Sequence, residues 1–179
     1  KVNINFNQVF LLLFIQTIAS SSLSHRKAAY DEIRRACKSV DAKLHYIQFQ
    51  KLDFEEISVI DTFYNADVAI VDVSIQDQQN SLFYRLGNRE SFGMKQNILL
   101  FNDYTADVTI PIRFPSANYT IFTYRLSDDK KCYITEPAVT RLVSGTDDDA
   151  IGSQLSAETK MTLCMKLKKV LQEVEIQTK

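Results

Sequence analysis

The chain has 179 residues, 45% of them hydrophobic, including eleven Phe and eight Tyr. That is enough apolar material for one folded core, which excludes a wholly disordered chain. The formal net charge of −1 excludes a dedicated nucleic-acid surface, which needs a clustered basic excess.

Val9 to Ile15 is a short continuous apolar run. It reads as the buried first strand of a parallel sheet. It also fits the apolar core of a signal peptide, and it is too short to span a bilayer. A Ser-rich link follows, with Ser24 as the expected cap of a helix over His25 to Val40. Ala29, Ile33, Ala36, Cys37 and Val40 recur at helical spacing and mark its buried face. Arg26, Lys27, Arg34, Arg35 and Lys38 fall mostly on the other side. Lys43 to Phe49 alternates as a second strand. Asp53 is a plausible cap for a short helix with Ile57, Ile60 and Tyr64 inward, ending at Asn65.

Val68 to Val73 predicts a third, fully buried strand ending on Asp72, with Ser74 just beyond. Ile75 to Asn80 reads as a polar loop, Ser81 to Met94 as a helix, and Asn97 to Phe101 as a fourth strand. This strand and helix alternation predicts an α/β fold: a flavodoxin-like, three-layer arrangement with a mostly parallel five-stranded sheet and helices on both faces. Asp103 to Asn118 reads as a long loop, Tyr119 to Tyr124 as the fifth strand, and Lys130 to Val143 as including a short helix. An α/β domain over 1–145 is then followed by 146–179. That second part holds the acidic turn Gly145 to Asp149 and a last helix, Ala157 to Val174. The last helix either packs on the domain or leads to a following one. Met161, Cys164, Leu167, Leu171 and Val174 form its stripe, and Lys166, Lys168 and Lys169 its solvated face.

Cys37, Cys132 and Cys164, with His25 and His45, show neither disulfide-framework nor metal-ligand spacing. The chain therefore calls for no metal and no cofactor. Sparse free thiols point to a reducing, cytoplasmic compartment without a membrane partner. Cys37 reads as a core residue. A strand ending in a carboxylate and a hydroxyl, then a loop, then a helix is how α/β folds build a pocket off the strands' carboxyl ends.

Ala66-Asp67, Asp72, Ser74, Phe83-Tyr84 and Leu86-Gly87 resemble the motifs of the nucleoside 2-deoxyribosyltransferase-like superfamily, relatives of the TIR-type fold. The resemblance implies a pocket including Asp72, Ser74, Ser81, Tyr84 and Arg85. The family's nucleophilic glutamate is Arg85 here, and its asparagine is Ser81. A guanidinium has no nucleophilic lone pair and repels an oxocarbenium-like centre. Glu90 projects about 140° away from Arg85 on a regular helix and does not replace the glutamate. The pocket is therefore read as vestigial, with no catalytic residue.

The longer run from Lys51 to Phe101, with LDF, FYNAD, SLFYRLGNRESF and NILLF, resembles the N-terminal region of the apoptosis signal-regulating kinases, which are mitogen-activated protein kinase kinase kinases. That resemblance implies a non-catalytic regulatory domain of a stress-activated kinase, acting through protein contacts. It implies TRAF-binding and kinase domains downstream in the same chain, and a thioredoxin-like regulator as partner. Cys164 is the candidate thioredoxin contact, its alternative being a member of the last helix's apolar stripe. The chain carries no kinase signature of its own. The alternative function is a nucleotide or nucleoside-derivative sensor, with Arg85 gripping a phosphate or simply lying at the surface in an ion pair.

Overall fold

The computed structural model describes residues 8–12, 20–47, 57–94, 96–103, 119–135 and 161–178. The strands are β1 (Gln8–Leu12), β2 (Lys43–Ile47), β3 (Val68–Asp72), β4 (Asn97–Asn102), β5 (Thr120–Leu126) and β6 (Cys132–Thr135). The helices are α1 (Ser20–Ser39), α2 (Ile57–Asn65), α3 (Gln76–Ser91) and α4 (Leu163–Thr178). The strands form one mixed sheet in the order β2-β1-β3-β4-β5-β6. The first five run parallel, and β6 is antiparallel to β5. The fold is α/β.

β3 sits inside the sheet, and its five residues are all buried. Alternation sends its side chains to opposite faces. Val68 and Ile70 join a core with α1 and α4, through Ile33, Cys37, Leu167 and Leu171. Ala69, Val71 and Val73 join a second core with α2 and α3, through Val59, Phe63, Leu82 and Leu86. Each fully buried large aliphatic side chain stabilises the fold by about 1.5–3 kcal/mol, so β3 anchors both layers.

Several expected boundaries move. α1 begins by Ser20, so Ser24 lies inside it rather than capping it. Arg26, placed on the polar side, is buried. The inward stripe of α2 is Val59 and Phe63, while Ile57 is exposed. Ile60 and Tyr64, also expected inward, pack partly buried against the same core, and the outward face carries Ser58, Asp61 and Asn65 beside Ile57. Asn65 closes α2 without left-handed backbone: its amide donates to Asp61 O at 2.9 Å and Asp61 Oδ1 at 2.8 Å. The expected loop Ile75 to Asn80 is mostly the first turn of α3, which starts at Gln76. Gln76, Asp77 and Asn80 are exposed and Gln79 donates back to Val73 O at 2.9 Å, so the segment carries no apolar period, and Asp77 suits the positive helix start.

α3 ends earlier than Met94, at Ser91, in a turn where Gly93 has φ 84°. The Gly93 and Met94 amides donate to Glu90 O and Arg89 O at 2.9 and 3.2 Å, a Schellman stop that favours glycine. The short helix expected from about Pro137 lies outside the described residues, and ahead of it Cys132–Thr135 is strand β6. Its pairing with β5 comes from tertiary contact rather than local pattern. Met161 precedes α4, and Leu163 takes its place in the buried stripe with Leu167, Leu171 and Val174. Residues 13–15 and 48–49, the Asp53 cap, most of the loop after Asp103, Pro137 and the acidic turn lie outside the described residues.

Candidate functional site at the carboxyl end of the sheet

β3, β4 and β5 deliver Asp72, Asn102 and Tyr124 to one end of the α1 face, and α1 supplies His25 and Arg26. The Arg26 Nε lies 3.2 Å from Asp72 Oδ2, with side-chain exposures of 5% and 2%. The other carboxylate oxygen accepts from the Ser74 amide at 2.9 Å and from the Ser74 hydroxyl. That hydroxyl oxygen in turn accepts from the Asn102 amide at 2.8 Å. Asn102 Oδ1 is 3.2 Å from His25 Nδ1. Tyr124 is fully buried beside them, and burial, with Asp72 next in effect, pushes its phenol well above the ordinary value of 10.0.

The order of causes is local. Ser74, two residues past Asp72, can fold back on the carboxylate as a polar side chain does in a turn. A buried carboxylate persists only when paired and hydrogen-bonded, and Arg26 and Ser74 meet that demand. Ser74 hydrogen-bonds Oδ1, whereas Oδ2 is met by the Arg26 charge rather than by a hydrogen bond. The Asp72 side chain is nearly without solvent exposure.

The expected pocket residues are thus divided. Asp72 and Ser74 meet on the α1 side. Ser81, Tyr84 and Arg85 ride on α3, which packs against the opposite face. Ser81 and Arg85 are half-buried, and Tyr84 points to solvent with 66% exposure. Sequence reasoning misses Arg26 because its charge groups it with the outward cations, although its spacing sets it on the apolar stripe of α1. Its position three residues before Ala29 and seven before Ile33 is the signal that could have found it, though not the identity of its partner.

A second buried arginine holds the other layer. Arg89, fully buried on α3, donates from Nε to Asn97 Oδ1 at 2.9 Å, from Nη1 to Phe63 O at 2.5 Å, and from Nη2 to Ala66 O. Phe63 and Ala66 carry carbonyls at the end of α2 that the helix itself cannot satisfy. The guanidinium also lies 5.7 Å from the Phe63 ring centroid. Burial pushes its pKa down to about 10, with Asp67 opposing, so it stays charged at neutral pH. The arginine of the GNRESF segment is therefore a structural pin between α2, α3 and β4.

Cys164 is the second residue of α4 and is half-buried against the α1-side core. Its amide donates to the buried Glu32 Oε2 at 3.1 Å, and Glu32 Oε1 pairs with Arg35. Burial, with Glu32 next, raises the Cys164 thiol above the ordinary 9.0. Cys37 and Cys132 are buried and pushed up to about 12, chiefly by desolvation. Among the described residues no group of His, Cys, Asp and Glu could hold a metal ion, and no helix is long and apolar enough to cross a membrane.

Fold and site together define an α/β domain whose ligand end is occupied by its own side chains. Comparison with known families gives two matches. Residues 32–67 match the deoxyribohydrolase (DRHyd) domain of the ASK signalosome. Residues 82–179 match the MAP3K TRAFs-binding domain. The second match covers more than half of the chain and starts inside α3, whereas a TRAF-binding region is expected downstream. The chain is 41% identical over 113 residues to mitogen-activated protein kinase kinase kinase 5 of Homo sapiens, covering 59% of this chain and 8% of that protein. It is 49% identical over 79 residues to kinase kinase kinase 15 of Mus musculus, 44% of this chain and 6% of the relative. It is 38% identical over 96 residues to kinase kinase kinase nsy-1 of Caenorhabditis elegans, 54% and 6% respectively. The chain belongs to the regulatory region of the apoptosis signal-regulating kinase family of mitogen-activated protein kinase kinase kinases. It spans less than a tenth of the length of the curated relatives it matches.

Proposed function

We propose that this region is a non-catalytic regulatory domain that controls a stress-activated, cytoplasmic mitogen-activated protein kinase kinase kinase through protein contacts, and that its deoxyribosyltransferase-like pocket is vestigial. The observation that carries the reading is the buried Arg26–Asp72 pair, with Ser74 hydrogen-bonded to the other oxygen of the same carboxylate. Arg85 in place of a glutamate supports it from the sequence, because a cation cannot attack or stabilise a cationic sugar centre. The strand order supports a flavodoxin-like assignment, which has the same succession through its five parallel strands. The TRAFs-binding match supports protein partners. A thioredoxin-like protein is one such partner, with Cys164 as its contact. The supporting feature is that Cys164 opens α4 and is only partly buried, while its raised pKa limits it to contact rather than thiolate attack.

The test is incubation of the chain with nucleosides, deoxynucleotides and dinucleotides, read by base release and by thermal shift. No glycosidic cleavage and no stabilisation is the expected result. Base release lost on Asp72→Asn would overturn the pseudoenzyme reading. Stabilisation without cleavage would instead establish the nucleotide sensor, since a ligand that binds only the folded state must raise its stability.

A further inference from the structure

Apolar side chains line a groove of about 470 Å³ between α2 and the end of α3. Ile57, Ile60 and Tyr64 come from α2, and Phe92 from the turn that closes α3. Ile57 is 84% and Phe92 68% exposed, and neither belongs to the two hydrophobic cores. Exposed apolar surface gathered in one place marks an interaction site.

The walls are held at a fixed spacing. Arg89, on α3, donates to Phe63 O and Ala66 O at the end of α2. The Gly93 and Met94 amides close the last turn of α3 on Glu90 O and Arg89 O. The Phe92 ring packs edge-on against Tyr64 at 5.5 Å between centroids. A site built in this way needs little ordering when a partner arrives.

The rim is negative. Asp61 lines the groove as an exposed carboxylate, and Asn65 Nδ2 donates to its Oδ1 at 2.8 Å, which fixes its orientation. Among the described residues no cation pairs with it. The other surface charges of α2 and α3 are Asp77 and Glu90 against Arg85. A cationic partner is therefore favoured, and an anionic lipid surface is repelled. Seven residues line the groove, against about 20–30 per side in a stable interface between folded proteins. The site is sized for a short segment. Its walls are helical and offer no free strand edge, so an extended peptide would leave its backbone groups unpaired, whereas a helix satisfies its own.

We propose that this groove docks an amphipathic helix of a partner protein, whose large apolar side chains cover Ile57 and Phe92 and whose Lys or Arg pairs with Asp61. The inference deepens the protein-contact reading by naming a surface and a partner class, and it rests on that reading only for its regulatory consequence. Peptide binding is measured directly, so its failure leaves the nucleoside test of that reading intact.

Fluorescence anisotropy of labelled synthetic helices against the whole chain tests it. One peptide carries Leu and Phe at i, i+3, i+4 and i+7 with Lys beside them, and the other carries Glu in place of each Lys. Saturable binding of the Lys peptide below about 1 mM, at least about tenfold tighter than the Glu peptide, is expected. Asp61→Lys reverses the preference. Phe92→Ser and Ile57→Ser each weaken the Lys peptide at least about tenfold. Met165→Ser, at an exposed apolar residue in the α1 and α4 layer, leaves it unchanged. All these residues are exposed, and circular dichroism shows that each variant keeps its fold. No binding of either peptide, equal binding of both, or a loss on Met165→Ser as large as on Phe92→Ser overturns the proposal. So does vesicle binding or self-association that Phe92→Ser abolishes, which gives the groove to a lipid surface or a second copy.

Discussion

The Glu32 carboxylate on α1 accepts a hydrogen bond from the backbone amide of Cys164, 3.1 Å away at the start of α4. One helix thereby caps the next across 132 residues of sequence. The carboxylate also meets the positive end of α4's dipole, and the stripe Leu163, Leu167, Leu171 and Val174 seals the same seam. Glu32→Ala should cost about 1–2 kcal/mol, the upper range for a lost N-cap. Hydrogen exchange should speed most in the first turn of α4 and little in β3 and β4. Glu32→Gln, which keeps an acceptor but loses the charge, should cost less.

Arg89 predicts a larger loss. Arg89→Ala leaves the Phe63 and Ala66 carbonyls and the Asn97 side chain without their donor in a buried place. The expected cost is about 3–5 kcal/mol, as for other broken buried charge networks. Arg89→Lys should recover only part, because one ammonium cannot reach three acceptors with the geometry of a guanidinium fork. Urea unfolding midpoints read both.

Arg26 and Asp72 form a pair whose members should be costly to remove singly and cheap to remove together. Arg26→Met strands a buried carboxylate, and Asp72→Leu a buried guanidinium, each costing about 3–5 kcal/mol. The double variant should be more stable than the sum of the two losses implies, with a coupling energy of roughly 0.5–3 kcal/mol in a double-mutant cycle. Additive losses would mean that the pair is not energetically linked.

The cysteines set an alkaline limit. Cys37 and Cys132 ionise near 12 in the folded chain and near 9.0 when freed from burial. The folded value is raised, so the stabilisation is complete below about pH 9 and is lost as pH rises toward 12. The buried Tyr124 shifts in the same direction. Unfolding midpoints should fall between about pH 9 and 11, together with a rise in thiolate absorbance. At about pH 8 a disulfide reagent should label Cys164 first and the other two only upon unfolding, because buried thiols near 12 carry about one part in ten thousand thiolate there.

The sequence alone determined the α/β class, the central position of β3, the burial of Cys37 and the kinase-family membership. Each rests on local pattern or on a long motif: an unbroken VAIV run, an Ala29–Ile33–Ala36–Cys37 stripe, and SLFYRLGNRESF. The inward stripe of α2 is partly legible: Ile60 and Tyr64 pack on the core as their spacing suggests, but Val59 and Phe63 are buried more deeply and Ile57 is exposed, because periodicity does not fix where a wide apolar face is centred. β6 is not legible because its four residues take strand form only through pairing with β5. Tertiary structure alone decided that Arg26 turns inward to Asp72, that Arg89 closes the end of α2, and that Glu32 caps α4. The reason is the same in all three: a long charged side chain has no intrinsic inside or outside. Its place is set by which buried carboxylate, carbonyl or amide the folded chain leaves needing a partner.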